Sequence, residues 1–102
     1  MVVAGFKEIT VSEVRFSPGR CLITPGALDE LESLGIPPIL LLLRHLAEDW
    51  GELPKPDRDA NRRAISQGGR IFSAYTVPPR TRVYVITEAD RSHTTILLAD
   101  EY

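Results

Sequence analysis

Apolar residues recur at helical spacing through the middle of this chain and at alternate positions through its last third. That change of period orders the expected elements, helices first and strands after. Ile71 to Val77, Arg82 to Thr87 and Thr94 to Leu98 are rich in Val, Ile, Thr, Tyr and Phe, residues that suit a pleated, half-buried surface. Pro78-Pro79-Arg80 and Ala89-Asp90-Arg91-Ser92 supply the turns between these runs. Connections this short make neighbouring strands antiparallel, so a three-stranded meander is expected.

The helical part is punctuated clearly. Thr24 suits an N-cap, Pro25 the first helical position and Gly35 the left-handed position past the end. Between them Ala27, Leu28, Leu31 and Leu34 make one apolar stripe. Pro37-Pro38 restarts the chain as a second helix expected to reach about Trp50, with a core stripe of Ile39, Leu43, Leu46 and Trp50, and Leu40 and Ala47 beside it. Leu41 and Leu42 fall off that stripe, which implies cover on more than one side. After the stiff Leu53-Pro54-Lys55-Pro56, a mostly polar helix is expected from about Asp57 to Gln67, held by Ala60, Ala64 and Ile65 and ended by Gly68-Gly69.

Ahead of the helices, Glu13 to Phe16 and Cys21 to Thr24 read as short extended pieces around a Ser17-Pro18-Gly19-Arg20 turn. Residues 1–12 are weakly patterned and expected to be loose. The expected architecture is α+β in a single domain, residues 1–102, of order β-α-α-α-β-β-β. Cys21 to Thr24 joins the meander, and the helices cover one face.

Composition narrows the class. At 102 residues and 43% hydrophobic, the chain is expected to fold around one modest core. Its only cysteine, Cys21, excludes an internal disulfide and a cysteine-rich zinc site. The start MVVAGFKEIT does not read as a signal peptide, and the longest apolar run, Ile36 to Leu43, is far short of the roughly 20 residues a membrane span needs. A cytoplasmic protein without membrane contact is expected. The net charge of −2 is unevenly spread, acidic through residues 1–54 and basic through residues 55–91. That polarity suits a partner surface. Within the third helix, Asp57, Asp59, Arg62 and Arg63 are at spacings that pair across turns.

Candidate chemistry is sparse. His45 and Asp49 share a helix face as a partly solvated pair, a metal site would still need further ligands, and the only other histidine is His93. Ser92 and His93 are adjacent, and neighbours in extended backbone point to opposite sides. Cys21 reads as a buried apolar residue. No GxSxG elbow, phosphate-binding glycine loop or dinucleotide fingerprint occurs. The best site candidate is the polar hairpin Ile86 to Thr95 with the strand before it, and the candidate binding residues are Arg82, Tyr84, Glu88, Asp90 and Arg91. The competing reading is a turn satisfied by itself, Asp90 accepting from nearby backbone and Arg91 pairing with Glu88.

Thr24-Pro25-Gly26-Ala27-Leu28, Arg44-His45 with Asp49-Trp50-Gly51, Asn61, Ser73-Ala74-Tyr75, and above all Ile86 to Ser92 with Thr94 to Tyr102 carry a family resemblance. Together they resemble a family of small bacterial proteins of unknown function found on plasmids and other mobile elements. Its members are often labelled as the modification subunit of a type I restriction system. The resemblance runs from about Phe16 onward and is weakest at His93 and Pro78-Pro79-Arg80. It implies association with mobile elements or restriction and defence loci. It does not extend the labelled methyltransferase activity to this chain, which has neither a cofactor-binding glycine loop nor an acidic-or-Asn-Pro-Pro-aromatic motif.

Three functional classes follow, in order. The first is a small accessory protein without catalysis, metal or cofactor, binding a protein partner and able to homodimerise through a helix face marked by Leu41 and Leu42 or through a sheet edge. The second is a nucleic-acid binder or RNA-directed ribonuclease similar in element order to the RelE-like toxins, using Arg70, Arg82, Tyr84 and His93. A pI near 5.6 weighs against it. The third is a metal-dependent hydrolase built on His45, Asp49, Glu88 and His93.

Overall fold

A computed structural model of the chain describes residues 14–102. The expected loose segment 1–12 and the first residue of the expected strand from Glu13 lie outside the described residues, and residues 14–16 form no strand. In order come β1 (Arg20–Ile23), α1 (Pro25–Ser33), α2 (Pro38–Leu46), α3 (Lys55–Gln67), β2 (Ile71–Val77), β3 (Thr81–Thr87), β4 (His93–Leu98) and a short 3-10 helix, Ala99–Glu101. The α+β class holds, and β1 joins the three later strands in a four-stranded sheet of order β1-β4-β3-β2, which is mixed rather than wholly antiparallel. β2, β3 and β4 pair antiparallel, and β1 runs parallel to β4. Among the described residues, no helix is long and apolar enough to cross a membrane.

The parallel pairing follows from where β1 begins. Gly19, at φ 63°, lies against the hairpin before β4, where a Cβ would sit 2.3 Å from the Arg91 carbonyl oxygen. The Arg20 N–H then donates to the Ser92 carbonyl at 3.1 Å, so both strands start from the same end of the sheet. At the other end of β1, Thr24 Oγ1 accepts from the Ala27 N–H at 3.1 Å, the expected N-cap. α1 buries Ala27 and Leu31.

α2 departs from expectation in both length and face. It ends at Leu46, and Glu48 takes a left-handed φ of 64°. Trp50 is therefore outside the helix, and of the stripe phased on it Leu46 packs against the core while Ile39 and Leu43 do not. The buried residues are Leu41, Leu42 and His45, whereas Ile39, Leu40 and Leu43 are 52%, 50% and 40% exposed. Leu41 and Leu42 thus cannot serve as an external dimer face. Trp50 is nonetheless buried, because the chain after α2 runs along the outer edge of β2. The Ala74 N–H donates to the Trp50 carbonyl at 3.1 Å and the Glu52 N–H to the Ala74 carbonyl at 2.8 Å. Gly51 makes that approach possible, since a Cβ there would meet the Ala74 oxygen at 2.0 Å.

α3 closes the same edge. Asn61 donates from Nδ2 to the Phe72 carbonyl at 2.7 Å and accepts the Phe72 N–H on Oδ1 at 3.0 Å, imitating one residue of a neighbouring strand. Asn61 and Ala64 are its buried residues, and Ala60 faces solvent. Of the four charges expected to pair across turns, Asp59 and Arg62 do so at i,i+3, and Lys55 rather than Asp57 or Arg63 supplies the second pair, with Asp59 at i,i+4. One core cluster joins Ala27, Leu31 and Leu41 to Tyr75, Val77, Val83, Val85 and Ile96. A second gathers Phe16, Trp50, Leu53, Ala64, Ile71 and Ala74. The first puts α1 and α2 on one face of the sheet. Strand alternation sends Phe72, Tyr84 and Ile86 to the other.

Candidate functional site: an aromatic and arginine face of the sheet

Register decides which of the expected hairpin residues meet. Ala74 lies opposite Tyr84 and Phe72 opposite Ile86, so Phe72 and Tyr84 are diagonal neighbours on adjacent strands. Their ring centroids are 4.7 Å apart. Tyr102, beyond the 3-10 helix, turns its ring edge onto both, 6.0 Å from Phe72 and 5.7 Å from Tyr84. Arg82 reaches over Tyr84 at 5.8 Å and Arg70 over Tyr102 at 5.9 Å. The Arg70 guanidinium also donates to the Tyr102 hydroxyl at 3.2 Å.

Each arginine faces a carboxylate, Arg70 with Glu88 and Arg82 with Glu52, both at 3.6 Å. The result is a continuous strip, Glu88–Arg70–Tyr102–Tyr84–Arg82–Glu52, with Phe72 packed against both tyrosines, so that three aromatic rings are bracketed by two charge-balanced pairs. A groove of about 290 Å³ beside it is lined by Leu53, Asp57, Ala60, Asn61, Arg70 and Phe72.

Of the five expected binding residues, the structure gathers Arg82, Tyr84 and Glu88 into this strip and leaves Asp90 and Arg91 outside it. The Arg91 guanidinium donates to the carbonyls of Gly69 (2.6 Å), Ala64 (2.8 Å), Glu88 (3.0 Å) and Ala89 (3.3 Å). It ties the hairpin to the end of α3, and it meets Glu88 through the backbone rather than the carboxylate. Asp90 accepts from the Ser92 N–H at 2.9 Å. Hydrogen bonds from Ser92 hold its carboxyl below the usual range. Phe72 and Tyr102 are the members that sequence reading missed, and Arg70 entered it only in the nucleic-acid alternative. Phe72 and Arg70 sit at the start of β2, and only the pairing of β2 with β3 brings them to Tyr84.

The histidines are placed differently from expectation. His45 has no exposure and makes no pair with Asp49. Its Nδ1 lies 2.6 Å from Ser73 Oγ and its Nε2 2.9 Å from Thr87 Oγ1, which is 2.7 Å from Thr94 Oγ1. Thr94 donates to the Pro18 carbonyl at 2.7 Å. A carbonyl can only accept, so the direction propagates back along the chain: Thr87 donates to Thr94, His45 Nε2–H to Thr87, and Ser73 to Nδ1. Burial holds His45 neutral, its pKa lowered to about 4. Phe16 and Trp50 pack edge-on against the ring. A serine bonded to a neutral imidazole has the form of an activated nucleophile, yet both residues are fully buried and closed to substrate.

Asp49 instead accepts from Arg44 at 2.7 Å, which lowers its pKa, while Arg44 stacks 4.3 Å over Tyr75. Ser92 Oγ and His93 Nδ1 do touch, at 2.9 Å, because Ser92 lies in the bend before β4 where strand alternation does not apply. Cys21 is exposed rather than buried, since β1 is an edge strand. Among the described residues no three His, Cys, Asp or Glu side chains gather in a metal-binding group, so the expected hydrolase set of His45, Asp49, Glu88 and His93 is not assembled.

No protein-family model, curated protein or solved structure matches the chain.

Proposed function

We propose that the chain is an accessory protein that acts by binding, and that it docks a protein partner on the strip around Tyr84. The observation that carries this reading is the clustering of Phe72, Tyr84 and Tyr102 within 4.7–6.0 Å of one another, flanked by arginines. Tyrosine and arginine are enriched at interface hot spots, tyrosine because its rigid ring buries large area while keeping a polar handle and arginine because its planar guanidinium stacks on rings and donates several hydrogen bonds. Tyr102 is 66% exposed, so the strip has surface left to bury.

The same face is the one a nucleic-acid reading would use, since Arg70, Arg82 and Tyr84 share it. Charge favours a protein. Phosphate binding rests on uncompensated positive charge, whereas Arg70 and Arg82 each face a glutamate and the pI is about 5.6. Association with mobile elements or restriction and defence loci completes the proposal on the strength of the family resemblance, and a cytoplasmic setting on the sequence features given above. A second copy of the chain is a further candidate partner, at a different surface.

The test is capture from bacterial lysate by wild type and by an Arg82→Glu/Tyr102→Ala variant, with and without RNase. Both substituted residues are exposed, so the variant should keep the wild-type circular dichroism. A partner retained by wild type through RNase treatment and lost by the variant is the expected result. Capture that vanishes with RNase would transfer the face to nucleic acid. Capture indifferent to the substitutions would remove the partner from this face.

A further inference from the structure

The two edges of the sheet are treated unequally. Along β2, the outward-facing backbone is met at Phe72 by the Asn61 amide and at Ala74 by the Trp50–Glu52 backbone, and Glu52 lies beside the next such position, accepting from the Thr76 hydroxyl at 2.8 Å. Along β1, Arg20 and Thr24 donate their N–H groups to β4, to the Ser92 and Ile96 carbonyls. Alternation then turns the N–H and C=O of Cys21 and Ile23 outward. Among the described residues nothing pairs with them. An open edge beside apolar surface is a template for another strand, and here the apolar surface is present. Cys21, Leu22, Ile23, Pro38 and Ile39 line a groove of about 180 Å³ between β1 and α2. Leu22 is 40% and Ile39 52% exposed.

We infer that this edge is the interface of a symmetric homodimer, in which β1 pairs antiparallel with β1 of a second copy and continues the sheet across a two-fold axis. The strand's own chemistry selects the occupant and the register. Pairing Cys21 with the partner's Ile23, and Ile23 with the partner's Cys21, uses every outward N–H and C=O and places Leu22 opposite its own mate on the axis. Centring on Cys21 would demand extended backbone at Gly19, which has φ 63°. Centring on Ile23 would set Cys21 against the partner's Pro25, which has no N–H.

The favoured register also matches charge. It sets Arg20, which makes no ion pair among the described residues, opposite the partner's Thr24. Within each chain the Thr24 hydroxyl donates to Glu101 at 2.7 Å, so each guanidinium meets the partner's Glu101 carboxylate, once on either side of the axis. The interface is self-complementary, as two-fold symmetry requires. It lies at the opposite edge of the sheet from β2 and does not depend on what binds the strip around Tyr84.

Sedimentation equilibrium should give a reversible dimer for the wild-type chain. Arg20→Glu, which turns both cross-axis attractions into repulsions, should weaken it by about ten-fold or more with unchanged circular dichroism. A Leu22→Cys/Cys21→Ser variant checks the register. Residues opposite each other at a non-hydrogen-bonded position have Cα atoms about 4.5 Å apart, within disulfide range. This variant should cross-link on mild oxidation. The wild type should not, because each Cys21 faces the partner's Ile23. A monomer at the highest soluble concentration overturns the inference. So does a dimer indifferent to Arg20→Glu, or one that cross-links through Cys21 but not through position 22.

Discussion

His45 stays neutral because its ring is fully buried and both its nitrogens are committed to hydroxyl groups. Its folded pKa of about 4 lies below the ordinary 6.5, so the unfolded chain binds the proton more readily. Stability is then full above pH 6.5 and falls as pH drops through that window toward 4, by about 2 kcal/mol between pH 7 and pH 5. Urea melts at the two pH values check this, and His45→Gln should flatten most of the dependence. Below about pH 5, Asp49 and Asp90, whose pKa values are also depressed, add losses of the same sign. Arg91 is the other residue whose role is set by its contacts. Replacing it with Met leaves the Ala64 and Gly69 carbonyls without their charged donor and should cost about 2 kcal/mol, read as a lower urea midpoint at unchanged slope.

At the scale of elements, α2 separates sequence pattern from tertiary use. Nearly every position in PILLLLRHL is apolar, so its composition cannot select a face. The sheet selects it, by accepting His45 into the gap between Ser73 and Thr87, and the Leu41 side follows. Leu41→Ala should therefore lose about 2–4 kcal/mol. Ile39→Ser, measured in dilute solution, should stay within about 0.5 kcal/mol of wild type. Equal losses at the two sites would mean the buried face is misassigned. β3 shows the opposite case. Its alternation was plain in the sequence, and Val83 and Val85 are buried as a period of two requires.

For the whole molecule, the two proposed surfaces sit on different parts of one sheet. The strip around Tyr84 draws on β2, β3 and Tyr102, while the dimer edge is β1 with the exposed side of α2. Arg82→Glu/Tyr102→Ala should leave the dimer intact, and Arg20→Glu should leave partner capture intact. The acidic and basic segments of the sequence meet at one of these contacts: Arg82 of the basic segment pairs with Glu52 of the acidic one, whereas Arg70–Glu88 and Arg44–Asp49 each pair within their own segment.

Local chemistry was enough to determine the α+β class, the cap at Thr24, the extent of β2 and, to within a residue, the extents of β3 and β4. Each rests on propensity, periodicity or a turn a few residues long. Tertiary structure alone decided the parallel pairing of β1 with β4, which joins Arg20 to His93. It also decided the buried face of α2, the burial of His45, and the meeting of Phe72, Tyr84 and Tyr102. These depend on register between segments far apart in the chain, and a register is fixed by the packing of the whole sheet rather than by any single stretch of sequence.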